Sequence, residues 1–75
     1  MERPLVAASA LTAARVRKEL NQSDIAAEMD VTQATISNWE TGETTPHPSL
    51  WKDVARVYGV PLLKLFEIFG GAKSA

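Results

Sequence analysis

The chain has 75 residues, a formal net charge of −1, 45% hydrophobic residues and 23% charged residues. These values favour one small globular domain over a disordered chain. The sequence contains no cysteine, which excludes disulfides and thiolate metal sites. A core this small leaves little room for a ligand pocket, so we expect no enzyme, no catalytic residue, no metal, no cofactor and no small-molecule ligand. No apolar stretch is long enough to span a membrane, and we expect a cytoplasmic protein.

Apolar residues recur at helical spacing and strand alternation is absent, so the sequence predicts an all-α fold, a compact five-helix bundle. Ser9 and Asn21 suit the N-caps of the first two helices. Thr32 suits the cap of the third helix, which Gly42 ends. The helices are predicted at residues 9–18, 22–29, 33–41, 48–58 and 61–69, with residues 1–8 as a flexible N-terminal arm, 9–70 as the folded domain and 71–75 as a loose tail.

The third helix has an unusual polar side. At about 100° per residue, this side collects short amides, hydroxyls and one methyl, namely Gln33, Ala34, Ser37, Asn38 and Thr41. The opposite side carries Ile36 and Trp39. A solvated surface helix normally carries Lys and Glu, whereas amides bond adenine and an alanine methyl packs on the thymine methyl. The pattern therefore fits the edges of DNA bases, and an ordinary polar surface is the alternative.

Charge is unevenly distributed along the chain. Residues 1–22 have a net charge of +2 and residues 46–75 also have +2, whereas residues 23–45 contain five acids and no base. Nucleic-acid-binding proteins normally present a basic stripe. The acidic middle of the chain therefore counts against a nucleic-acid partner and favours a protein partner.

Residues 21–42 contain a motif at a specific spacing. Gln22 opens the second helix, and a turn with Val31 leads to the run Ile36-Ser37-Asn38-Trp39-Glu40, which Gly42 follows. This motif resembles the helix-turn-helix of the lambda-repressor-like family, the Cro and Xre type. The resemblance extends over about residues 10–69 through further matches at Leu11, Arg15, Ile25, Ala26, Leu50, Val54, Tyr58, Leu62, Leu65 and Phe66. Glu19 and Asp30 stand where many members have glycine, at turn positions that favour a positive φ.

The resemblance implies a third helix that enters the DNA major groove. The residues that it implies as base contacts are Gln33, Ala34, Ser37 and Asn38. Those that it implies as phosphate contacts are Gln22, Thr32, Thr35 and Thr41. It also implies a structural salt bridge between Arg15 and Glu40.

The fifth predicted helix carries more apolar surface than one core needs. Its apolar arc is wider than that of an ordinary surface helix. A helix buried deeply in its own bundle is the alternative, but we expect a homodimer interface at Leu63, Ile68 and Phe69.

Together these features predict a sequence-specific DNA-binding transcription regulator. We expect a bacterial or phage repressor that binds a palindromic operator in double-stranded DNA as a homodimer. We expect no membrane partner. It would act in the cytoplasm of a bacterial cell or a phage-infected host. The alternative is a helical protein-interaction module, antitoxin-like or regulator-binding, that does not read DNA bases.

Overall fold

The computed structural model describes residues 5–70, and these residues form helices and turns without a strand. The all-α fold is therefore confirmed. A 3₁₀ turn, Pro48–Leu50, leads into the fourth helix, and a π-helical turn, Phe66–Gly70, extends the fifth. The five helices are α1 (Leu5–Arg17), α2 (Gln22–Met29), α3 (Gln33–Thr41), α4 (Trp51–Tyr58) and α5 (Leu62–Leu65).

Local chemistry sets the bounds of α2 and α3, which agree with those predicted. The Asn21 side chain accepts a bond from the Asp24 amide, and the Asp24 carboxylate accepts one from the Asn21 amide, each at 2.8 Å. This reciprocal capping box bonds the amides of Asn21 and Asp24 at the helix start, where no preceding turn of helix supplies carbonyl acceptors. At α3, the Thr32 hydroxyl accepts a bond from the Thr35 amide at 3.2 Å. Gly42, with a φ of 85°, ends the helix in the left-handed conformation that glycine adopts without strain.

The first helix is longer than predicted. It begins at Leu5 rather than Ser9, so residues 5–8 of the expected arm are helical, and Ser9 is not an N-cap. The reason is that residues 5–8 are Leu, Val, Ala and Ala, among them two of the strongest helix formers and no helix breaker. Residues 1–4, the rest of the expected arm, and 71–75, the expected tail, lie outside the described residues.

The last helical segment packs differently from the prediction. Ile68 and Phe69 are only 6% and 3% exposed and lie in the core of their own chain, so the expectation that they form a dimer interface is wrong. Leu65, Ile68 and Phe69 share one side of the segment and pack where it contacts α1 and α4. The physical reason is that α3 and α4 do not close the core of so small a domain without it. Leu63, in contrast, is 74% exposed.

One apolar core holds the helices together, with at least one buried side chain from each of the five. The inward residues of α3 are Ile36 and Trp39, which fix how this helix is rotated in the bundle. Trp51 closes one edge of the core through ring contacts with Phe66 and Phe69, at centroid distances of 5.2 and 5.9 Å. Because Ile36 and Trp39 anchor the inner side of α3 in this core, the helix presents its opposite side outward.

Within residues 5–70, the structure contains no helix of the length and apolar character that crossing a bilayer requires.

Candidate nucleic-acid interface

The turn between α2 and α3 depends on one left-handed residue. Asp30 has a φ of 60°, as expected from the resemblance, since many members of the lambda-repressor-like family have glycine at this position. Its amide donates to the end of α2. The next amide, that of Val31, donates to the Ala26 carbonyl oxygen at 3.0 Å. Thr32 then caps α3. The chain therefore turns from one helix into the next in three residues, which gives α2 and α3 a defined relative orientation.

The outer side of α3 carries the residues predicted to contact bases. Gln33, Ala34 and Asn38 are exposed, and Ser37 is half-buried. No charged side chain lies among them, since the one acid of α3, Glu40, is buried on the inner side. The surface therefore offers amide donors and acceptors, a hydroxyl and a methyl, which are the groups that base edges in the major groove complement.

The three threonines predicted to contact phosphate lie on α3 or at its N-cap. The Thr32 and Thr35 hydroxyl oxygens are 2.9 Å apart at the start of the helix. At the other end, the Thr41 hydroxyl donates to the Asn38 carbonyl oxygen at 3.2 Å. Each hydroxyl thus has a local partner, which holds it at an end of the helix beside the residues predicted to contact bases.

Gln22 lies between the inner and outer sides of α3. Its Nε2 donates to Glu40 Oε1 at 3.2 Å, and its Oε1 accepts a bond from Gln33 Nε2 at 3.4 Å. Gln33 Oε1 in turn accepts a bond from the Ser23 hydroxyl at 3.3 Å. The resemblance implied a phosphate contact for Gln22. Neither it nor the sequence pattern indicated the bonds to Glu40 and Gln33, and Ser23 was not singled out.

Arg15 and Glu40, the pair that the resemblance implied, meet between α1 and α3. Arg15 Nε lies 2.8 Å from Glu40 Oε2, and the two side chains are 13% and 3% exposed. A second guanidinium nitrogen, Nη2, donates to Glu40 Oε1 at 3.0 Å, while Nη1 donates to the Leu20 carbonyl oxygen at 2.9 Å. The guanidinium therefore joins three parts of the chain: α1, the turn after it, and α3.

Two further side chains bond the same carboxylate. The Thr12 hydroxyl donates to Glu40 Oε1 at 2.9 Å, and the buried Tyr58 hydroxyl donates to Oε2 at 2.7 Å. Sequence reasoning indicated neither contact, because nothing local to positions 12 or 58 shows that they meet position 40. Glu40 thus accepts bonds from α1, α2 and α4, and the buried charge is fully hydrogen-bonded.

The cluster shifts the pKa values of its members. Burial acts to raise the pKa of the Glu40 carboxyl, but the bonds from Arg15, Tyr58, Gln22 and Thr12 outweigh it and hold that pKa below its usual value. Burial, together with the bond to Glu40, raises the pKa of Tyr58. The bond to Glu40 likewise raises the pKa of Arg15. Near neutral pH the cluster is therefore an ionised pair with a neutral tyrosine.

Comparison with known families agrees with this geometry. A helix-turn-helix family model matches residues 11–65, which includes α2, the turn and α3. Searches of curated proteins and of solved structures returned no significant match. The matched family is one of DNA-binding regulators and is not an enzyme family. The chain therefore belongs to the Cro/C1-type helix-turn-helix family of DNA-binding regulators.

Proposed function

We propose that this chain is a sequence-specific transcriptional repressor of a bacterium or phage, which binds a palindromic operator as a homodimer. The observation that carries the proposal is the outer side of α3, where Gln33, Ala34 and Asn38 are exposed without any charge. This side is held outward by a helix whose inner side is anchored in the core. A rigid helix with an amide-rich outer side is suited to read base edges in the major groove.

The proposed contacts divide into two kinds. Base contacts come from Gln33, Ala34 and Asn38, with a weaker contribution from the half-buried Ser37. Phosphate contacts position the helix without reading sequence. The residues proposed for them are Gln22, Thr32, Thr35 and Thr41.

Selection of bound sequences from a random DNA pool tests the proposal, followed by mobility shifts on the selected sequence. We expect enrichment of a site with two related half-sites, because a two-fold protein dimer is mirrored in its operator. Half-site centres should lie about one helical turn apart, roughly 34–36 Å. A pool that shows no enrichment after several rounds would contradict sequence-specific binding.

The proposed dimer uses the exposed apolar surface of the last helical segment. Leu62, Leu63 and Phe66 are 37%, 74% and 52% exposed. Leu62 and Phe66 also line, with Trp51, an open groove of about 430 Å³. A group of exposed apolar residues beside an apolar groove is typical of an interaction site, and a second copy of the chain would cover it.

Changing Leu63 to Glu tests this interface. Leu63→Glu should give a monomer with an unchanged helical signal and weak operator binding, because a charge would be buried in the interface. Val16→Glu is the matched control, since Val16 on α1 is also an exposed apolar residue, at 58%. Sedimentation of both variants and wild type decides, and a wild type that stays monomeric at high concentration would contradict the dimer.

A second candidate function, that of a protein-interaction module, is supported by the acids of residues 23–45. Glu28, Asp30 and Glu43 are exposed, and this part of the chain contains no base. Such a surface suits a protein partner better than a phosphate backbone. Mobility shifts against random-sequence DNA at low and moderate salt separate the two functions, because even non-specific DNA binding appears at low salt. No shift at either salt concentration would favour the interaction module.

A further inference from the structure

We infer that Glu40 is a positioning residue for base recognition: from inside the domain it sets the orientation of the Gln33 side chain on the outer side of α3. The inference rests on the proposed function for its consequence in DNA binding. Its structural basis is the series of hydrogen bonds that runs from Glu40 through Gln22 to Gln33 and ends at Ser23.

The first bond determines the direction of the others. An ionised carboxylate accepts hydrogen bonds but donates none, so Gln22 must turn its Nε2 toward Glu40 Oε1, 3.2 Å away. Glu40 is ionised near neutral pH, since four side chains bond its carboxylate and lower its pKa. Gln22 therefore presents its Oε1, an acceptor, to the outside.

The orientation then passes to the exposed surface. Gln33 meets the Gln22 oxygen with its own Nε2, at 3.4 Å, and turns its Oε1 to the Ser23 hydroxyl, which donates to it at 3.3 Å. One Nε2 hydrogen and one Oε1 lone pair of Gln33 remain free. A donor beside an acceptor complements adenine, whereas guanine presents two acceptors. With one of its hydrogens committed to Gln22, Gln33 lacks the two free donors that guanine requires.

Substitution of Glu40 by Gln is the direct test. A glutamine at position 40 carries both a donor and an acceptor, so it no longer obliges Gln22 to present its oxygen. Tyr58→Phe is the matched control, because it removes a buried bond to Glu40 Oε2 and leaves the bond from Gln22 to Oε1 in place. A purely structural role for Glu40 predicts the same behaviour for both variants.

The first readout needs no DNA. In NMR spectra of the free protein, Glu40→Gln should shift the side-chain amide resonances of Gln22 and Gln33, and Tyr58→Phe should leave those of Gln33 unchanged. Gln33 resonances that are identical in wild type and Glu40→Gln would overturn the inference whether or not the protein binds DNA.

The second readout is base preference in the selected operator, at the base pair where Gln33→Ala relaxes selectivity. One bidentate contact discriminates by about 1–3 kcal/mol, which is about 5- to 150-fold in affinity. Glu40→Gln should reduce this ratio of affinities between the preferred and the other base pairs to a few-fold, while Tyr58→Phe should leave it unchanged. In the Gln33→Ala background, Glu40→Gln should change the ratio no further, because the route through Gln33 is already removed.

Gln22→Met keeps the test decisive if Glu40→Gln does not fold. It breaks the series at the next residue, which is half-buried and outside the core cluster. A role limited to phosphate predicts an equal loss on all sequences, whereas the inference predicts a reduced ratio at the Gln33 base pair. An unchanged ratio in Gln22→Met would overturn the inference. A wild type that selects no sequence would instead overturn the proposed function, and the NMR comparison would still decide whether Glu40 orients Gln33.

Discussion

The two sides of α3 differ in what holds their side chains. On the inner side, Ile36, Trp39 and Glu40 are buried, and partners on α1, α2 and α4 bond the Glu40 carboxylate. On the outer side, Ala34 and Asn38 are exposed. The same nine-residue helix therefore separates folding from recognition: substitutions on the inner side should lower stability, and those on the outer side should change binding alone.

Gln22 is the exception to this division. It bonds Glu40 on one side and Gln33 on the other, so a change within the core has a path to the recognition surface. Substitutions on the two sides of α3 test this division.

Arg15→Met should be strongly destabilising. It leaves the Glu40 carboxylate buried without its counter-charge, and breaking a buried pair in this way costs about 3–5 kcal/mol in the free energy of unfolding. Arg56→Met is the control, because the Arg56–Asp53 pair is exposed, with N and O 3.4 Å apart, and such pairs contribute about 0–1 kcal/mol. Urea melts of the two variants measure the difference. Equal costs would show that the Arg15–Glu40 pair contributes no more than a surface pair.

Lowering the pH should reduce the free energy of unfolding by protonating the Glu40 carboxylate. The loss should be smaller than that caused by Arg15→Met, because protonated Glu40 keeps part of its hydrogen bonding. The folded state lowers the pKa of Glu40 from its usual 4.5. The resulting stability is fully present above the unfolded pKa and is lost as the pH falls through the folded one. The free energy of unfolding should therefore decline below about pH 4.5.

Glu40→Gln supplies the comparison for the acid experiment. This variant should start from lower stability and decline less steeply between neutral pH and pH 3, because it has no carboxyl to protonate at position 40. Urea melts across the pH series measure both slopes. Parallel curves for wild type and variant would assign the acid sensitivity to other carboxyls.

Asn38→Ala should reverse the pattern of the inner-side variants. The Asn38 side chain is exposed, and Ala favours helix by roughly 0.5 kcal/mol more than Asn, so stability should stay equal or rise slightly. Operator binding should weaken by about 1–3 kcal/mol per half-site contact, with relaxed preference at particular base pairs. Titrations of the selected operator measure the change in binding, and a urea melt measures the change in stability. Unchanged binding and preference would mean that α3 is not the reading helix and would support the interaction module.

Sequence reasoning was accurate at α2 and α3, whose bounds depend on neighbours along the chain, but the N-cap predicted at Ser9 was wrong because α1 begins at Leu5. The bounds of α2 and α3 follow from the caps at Asn21 and Thr32 and from the stop at Gly42. The left-handed conformation at Asp30 was also expected from its turn position. These features depend on backbone amides and carbonyls within a few residues of the side chain, so a linear pattern contains the information. The family followed from the same run of residues.

The tertiary structure decided what distant residues do together. Periodicity showed an apolar last helix, but only packing against α1 and α4 buries Ile68 and Phe69 and leaves Leu63 exposed. Likewise, the sequence by itself determined that α3 has an uncharged amide-rich side, whereas the fold decided that Thr12 and Tyr58 bond the buried acid of the same helix. The physical reason is that helical period and capping act within one or two turns, while burial and hydrogen bonding of Glu40 depend on which helices the closed core brings within about 3 Å of its carboxylate.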